Sequence, residues 1–270
     1  MRNHWGIIGQ SMINSRHRPR SLTTNPTIQD HCSAIERCNQ RGARMLSIVD
    51  LIEAGTVTRD LAAYLLAAIG AGASFMVGAL MGGAGKTTVM GALLNFVPRD
   101  VQLAPADSTQ TVEQGMGDRT RRCYVCYEIG AGAYYSYLWG KPLRRYFDLP
   151  GAGHMLATNL HADTIAEAQK QVCGQNSVPP AKFRGMNVIL FLAVNRQPGG
   201  VVRRIASVWE SDGSRDHIQV LGGKTPGFSI TSSSLVSIEA FQAAGKTIDG
   251  LMASGARSIQ EVRTFLNAPD

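Results

Sequence analysis

Seven consecutive residues, Gly82, Gly83, Ala84, Gly85, Lys86, Thr87 and Thr88, have the types and spacing to hold a phosphate chain. Glycines let backbone N–H groups converge on phosphate oxygens, and a helix that starts at once turns its positive end to the anion. Lys86 would reach the β- and γ-phosphates, and the Thr87 hydroxyl would bind Mg2+. The apolar run Phe75 to Leu80 reads as the strand that delivers the chain to this loop, and Val89 to Leu94 as the helix that leaves it. The full pattern has a glycine where this chain has Leu80, and Gly78 comes too early to replace it. The start of the loop must therefore be built differently. ATP with Mg2+ is the ligand this stretch predicts.

Three further residues could act on such a ligand. In an open α/β sheet, ligands bind beyond the carboxyl ends of the strands, so polar residues at successive strand ends should converge. Val101 to Ala104 reads as a strand running toward Asp107, Cys123 to Ile129 as one that ends around Glu128, and Gly153 to Asn159 as one that runs into His161. Hydrolysis of a nucleoside triphosphate needs a cation and Mg2+ on the phosphates, a carboxylate for the attacking water and a polar sensor of the γ-phosphate. Glu128, His161 and Asp107 are the catalytic candidates. Asp107 fits the cap of the next turn equally well, and His161 an ordinary hydrogen bond.

The elements that must position these residues follow from periodicity. Met45 to Ile69 gives two short amphipathic helices, the second capped by Thr58, and a Tyr134 to Phe147 helix follows Glu128. Thr164 and Glu167 form a capping box just past His161. Asn187 to Val194 is a fully apolar strand of the kind buried in a parallel sheet. Val201 to Trp209 and His217 to Leu221 read as a hairpin-like pair at the sheet edge. Helices at 236–244 and 247–253 and one opened by Ser258 and Glu261 close the chain. The alternation predicts an α/β fold, a mostly parallel sheet flanked by helices on both faces with a helical C-terminal portion. The divisions expected are an N-terminal arm or reduced domain at 1–45, the phosphate-loop core at 46–200, and edge strands with C-terminal helices at 201–270. The triplets Gly223-Lys224-Thr225 and Gly245-Lys246-Thr247 are decoys, the first followed by Pro226 and the second inside a helical pattern.

Composition limits the rest. The apolar share of 44% suffices for a core, and the net charge of +7 implies anionic partners. Among the arginine groups, which include Arg203 and Arg204, Arg119, Arg121 and Arg122 are the best candidates to serve a neighbouring subunit's site. No aromatic and basic interleaving of the kind single-strand binders use is present, so nucleic acid is not an expected partner. Five cysteines, an odd number, with no secretory signal fit a reduced, cytoplasmic setting. Cys123 and Cys126 have redox or zinc-pair spacing, yet no second pair accompanies them and their neighbours alternate like a strand. From Leu61 to Gly85 no residue is charged, long enough to raise a transmembrane helix, but six glycines interrupt the run. A helix at 58–69, a Gly-Ala turn and a strand at 74–80 account for it better, and no membrane span is expected.

The run from Gly153 through His161 to Thr164 resembles the histidine box of the type II/type IV secretion ATPases, which power pili, archaeal flagella and secretion machines. The loop and helix from Gly82 to Pro98 are similar to that family's nucleotide loop, Tyr127-Glu128-Ile129 to its Walker B segment, and Ala106-Asp107-Ser108 to its acidic box. The resemblance covers about residues 46–200. It implies a RecA-like P-loop core, a Mg2+-dependent ATPase, and a homo-oligomeric ring, a hexamer, on a membrane platform protein at the inner face of the membrane. It also implies that Glu128 orients water and that His161 senses the γ-phosphate. Leu80, Ala106 and Gly130 depart from the family's pattern, and its large N-terminal domain is missing or reduced to residues 1–45. These departures support the alternative of a degenerate, non-catalytic nucleotide-binding assembly subunit.

Overall fold

The computed structural model describes residues 26–39, 42–132, 134–198, 200–222 and 225–268; the expected N-terminal arm with Arg16, Arg18 and Arg20 lies outside them. The described chain runs α1 (Ile28–Glu36), α2 (Ile48–Glu53), α3 (Arg59–Gly70), β1 (Phe75–Gly78), α4 (Lys86–Leu94), β2 (Gln102–Pro105), α5 (Thr109–Gly115), β3 (Arg122–Ile129), β4 (Tyr137–Leu138) and α6 (Lys141–Tyr146). It continues with β5 (Met155–Leu160), α7 (Ile165–Gln169), α8 (Pro180–Phe183), β6 (Val188–Gln197), β7 (Gly200–Glu210), β8 (Ile218–Gly222), β9 (Thr225–Phe228), α9 (Ile238–Ala253) and α10 (Ile259–Asn267).

The strands form one sheet in the order β2-β3-β5-β1-β6-β7-β8-β9, with β4 paired to β3. From β2 to β6 every neighbouring pair is parallel, and from β6 to β9 every pair is antiparallel. The parallel strands are buried on both sides, which is why Phe75 to Gly78 and Val188 to Leu192 are continuous apolar runs. Two apolar layers follow. One face carries side chains of α1 to α4, α9 and α10, including Ile35, Leu65, Leu93, Ile248 and Val262. The other carries those of α5 to α8, including Val112, Leu143, Tyr146, Ala168 and Phe183. This is the mostly parallel α/β architecture that the alternating pattern predicts.

Local signals fix the helix starts. Thr58 accepts a hydrogen bond from the Leu61 N–H at 3.2 Å, and capping boxes open α2, α7 and α10 through Ser47, Thr164 and Ser258. The uncharged stretch divides into α3, a turn and β1, and among the described residues no helix is long and apolar enough to cross a membrane.

Two expectations need correction. The helix expected from Tyr134 to Phe147 is confined to Lys141–Tyr146, because Ser136 and Gly140 take positive φ and Tyr137 and Leu138 pair with β3 instead. The two expected helices at 236–244 and 247–253 are one continuous helix, α9. Gly245 lies inside it, where an added Cβ would stand 2.7 Å from the Arg59 guanidinium, the movable end of a long side chain. Cys123 and Cys126 project into opposite apolar layers of the sheet, so they form no metal or redox pair. Burial pushes the Cys126 thiol up to about 12 and raises that of Cys123 as well.

Candidate functional site

Of the residues singled out by spacing, the Gly82 to Thr88 loop, Glu128 and His161 meet at the carboxyl ends of β1, β3 and β5. Gly83 and Gly85 adopt positive φ, and α4 starts at Lys86. At Leu80 no positive φ is needed, since among the described non-glycine residues only Ser136 and Ser177 have one. Its N–H donates to Asp163 Oδ1 at 2.7 Å, and its side chain faces solvent. Gly78 has a packing role: a Cβ there would lie 2.6 Å from Phe191 Cδ1 and 2.7 Å from the Ala162 carbonyl oxygen.

The start of α4 has no side-chain cap. α1, α2, α3, α5, α7, α9 and α10 each begin with a Ser or Thr side chain accepting a backbone N–H, whereas α4, after Gly85, begins without one, as do the short helices α6 and α8. The first-turn N–H groups of a helix have no intrahelical acceptors, so those at the start of α4 can serve an anion.

Lys86 Nζ donates to the Ala79 carbonyl at 3.1 Å and lies 3.4 Å from His161 Nδ1 and 3.5 Å from Glu128 Oε2. His161 Nε2 is 3.7 Å from the same carboxylate oxygen. Glu128 Oε1 is buried without a hydrogen-bond partner among the described residues. Burial raises the Glu128 pKa above the usual carboxylate range, and the charges of Lys86 and His161 oppose that shift only in part.

A cavity of about 530 Å3 opens on this group. Gly82 to Val89, Glu128 and His161 line one side, and Met45, Leu46, Leu51, Ala54, Val201 and Val202 give it an apolar portion. Glu128 is the one carboxylate among the described lining residues. A polar, anion-receptive end beside an apolar end suits a nucleotide.

Asp107 is not brought to this cavity: it accepts a hydrogen bond from Thr111 Oγ1 at 2.8 Å at the start of α5. Ala106 beside it is fully buried. Arg122 opens β3, at the opposite end of the sheet from the loop, and pairs with Asp118 at 2.7 Å; Arg121 packs over Gly72, before β1. The arginine that does reach the loop is Arg203 of β7, with Nε and Nη2 at 3.4 and 3.3 Å from the Gly83 carbonyl oxygen. Its place comes from the β6–β7 pairing, and the signal that could have found it is the turn-type sequence Pro198-Gly199-Gly200 between two strand-like runs. Asp163, the acceptor for the Leu80 N–H, lies two residues past His161 in the histidine-box run.

The chain is similar to two solved ATPases. One is the VirB11 ATPase of the Brucella suis type IV secretion system in complex with sulphate, at 18% identity over 73% of this chain and 59% of that one, with a TM-score of 0.43. The other is the Legionella pneumophila ATPase DotB, at 8% identity over 86% of this chain and 61% of that one, with a TM-score of 0.34. The chain thus spans less than two thirds of the length of either. No family model and no curated protein matches it.

Proposed function

We propose that this chain binds ATP with Mg2+ and hydrolyses it, as a ring-forming motor of a secretion or type IV pilus-like machine. The observation that carries the ATPase reading is one cavity holding the uncapped start of α4, Lys86, and a buried carboxylate with an unpartnered oxygen. The Gly82 to Thr88 backbone and Lys86 would hold the phosphates, and Lys86 would exchange the Ala79 carbonyl for them. Thr87 is the side chain offered to Mg2+, an ion usually held by one or two protein ligands and the phosphates themselves. When bound, Mg2+ would neutralise charge on the phosphates. Glu128 would accept a hydrogen bond from the attacking water through Oε1, and His161, beside Lys86, would sense the γ-phosphate. The motor role rests on the histidine box and loop motifs; assembly as a hexamer on a membrane platform protein, at the cytoplasmic face, belongs to the same proposal.

A nucleotide titration beside a steady-state ATPase assay tests it. Lys86→Ala abolishes ATP binding, and Glu128→Gln binds ATP without turning it over. Equal affinity in wild type and Lys86→Ala would sink the nucleotide reading.

A second reading has its own observation. With Ala106 buried where a carboxylate is expected and Asp107 turned to Thr111, Glu128 is the one acid among the described residues that line the cavity. A nucleotide-binding assembly subunit without catalysis would bind ATP and show wild-type turnover no faster than that of Glu128→Gln.

A further inference from the structure

Strict alternation along β3 would turn Glu128 away from the phosphate loop. Residues three apart on a regular strand face opposite sides. Cys126 and Ile129 nevertheless lie in the same apolar layer, the one built with α5 to α8. Tyr127 lies in the other layer, with α4, and Glu128 reaches Lys86 at the start of that helix. Two successive side chains, Tyr127 and Glu128, therefore share the α4 side.

The cause is in the pairing of β3 with β5. Cys126 pairs with Thr158 and Ile129 with Leu160, so Tyr127 and Glu128 together oppose the single residue Asn159. This is a β-bulge, a device that re-aims a side chain and leaves ladder groups unpaired. Side chains fill those gaps. Asn159 Nδ2 donates to the Tyr127 carbonyl at 2.8 Å, and the Cys126 thiol to the Glu128 carbonyl at 3.3 Å. Asn159 is fully buried, and its Oδ1 has no partner among the described residues. A reversed amide would set that oxygen against the Tyr127 carbonyl, so the donor must face β3. A buried carbonyl left without its donor is costly enough to rearrange a strand locally.

We propose that Asn159 is a positioning residue: by holding the Tyr127 carbonyl it keeps the bulge that turns Glu128 toward Lys86 and the phosphate loop. The proposal rests on the reading of Glu128 as the carboxylate that orients water, and it adds the residue that aims it. Without the Asn159 donor, β3 returns to regular alternation and Glu128 leaves the cavity, while the loop, on β1 and α4, stays in place.

The test compares crystal structures and steady-state kinetics of Asn159→Ala, Asn159→Leu and Asn159→Ser with wild type. Leucine refills the volume if alanine leaves a disruptive void, and serine retains a donor. In the alanine and leucine variants the Glu128 carboxylate is expected to move out of contact with Lys86, and kcat to fall at least about tenfold with KM within about threefold, as for a misplaced catalytic group. Serine restores both the contact and part of kcat. Glu128 in its wild-type position in the alanine and leucine variants overturns the proposal. A wild-type chain that binds no ATP fails the nucleotide reading instead, and the position of Glu128 still decides the role of Asn159.

Discussion

Glu128 Oε2 and Lys86 Nζ stand 3.5 Å apart with side chains only 8% and 9% exposed, so the carboxylate and the phosphate-binding cation of the candidate site are also each other's counter-charge. Lys86→Met leaves a buried carboxylate without that cation, and protonation relieves only part of the cost. We expect it to lower stability by roughly 1–3 kcal/mol at neutral pH, and Glu128→Gln in the same chain to recover most of the loss. Denaturant unfolding of wild type, the two single variants and the double variant measures the coupling. Additive effects would mean that the pair makes no net contribution.

The raised pKa of Glu128 gives a second prediction, with a definite sign. A carboxyl whose folded pKa lies above its unfolded one binds its proton more tightly when folded, so its contribution favours the fold at low pH and is lost as pH rises through the folded value. Glu128 therefore weakens the fold at neutral pH, and Glu128→Gln, which resembles the protonated form, raises Tm there. The gap between the two proteins narrows as pH falls toward the ordinary carboxylate range. Thermal melts at pH 8, 6 and 4 check this; a gap that widens on acidification contradicts it.

These two residues also mark what a sequence can and cannot disclose. Lys86 was legible because its partners in the motif are local: the glycines before it and the helix after it are set by a few consecutive residues. Glu128 was legible as a strand-end acid, but not its direction, since the bulge arises from the register between β3 and β5 and from a side chain on the other strand. Arg203 reaches the loop because the β6–β7 hairpin, signalled by Pro198-Gly199-Gly200, is laid beside β1, and that placement is not encoded by charge or spacing. Ser136, at φ 55°, breaks the expected aromatic helix, although serine carries no strong signal for that conformation.

His31 should make the fold acid-sensitive. Its Nε2 lies 3.0 Å from the Leu94 carbonyl oxygen, which accepts only if Nε2 carries the proton, and Nδ1 is buried without a partner among the described residues. Burial, and then the nearby charge of Arg263, holds its pKa down to about 3. A folded pKa below the unfolded one gives stability that is fully present above about pH 6.5 and is lost as pH falls toward 3, in total roughly 4–5 kcal/mol. His31→Gln keeps a donor for Leu94 and cannot charge, so its stability should change far less over that window. Urea unfolding at pH 7, 5 and 4 measures the two slopes, and equal slopes would remove His31 from the account.

Arg263 of α10 closes the far end of the helix that begins at the phosphate loop. It is 3% exposed, and its guanidinium donates to the carbonyls of Asn95 at 2.8 Å, Val97 at 2.6 Å and Pro98 at 3.4 Å, just past the last turn of α4. A cation there satisfies carbonyls that have no intrahelical donor and suits the negative end of the helix. Burial lowers its pKa to about 10, which leaves it charged at neutral pH. Pro98's carbonyl also accepts from the Val101 N–H at 3.0 Å, but Arg263→Met strands those of Asn95 and Val97 and should cost about 2–4 kcal/mol, a fall in Tm of roughly 5–12 °C for a chain of this size. Arg263→Lys keeps the charge but cannot fork across several carbonyls, so it should fall between the two. Because the contacts lie at the opposite end of α4 from Lys86, ATP affinity measured well below the melting transition should stay within about threefold of wild type, the small effect expected of a site outside the first turn. Differential scanning calorimetry beside a nucleotide titration separates the two effects. A variant as stable as wild type would show that water serves these carbonyls as well as the guanidinium does.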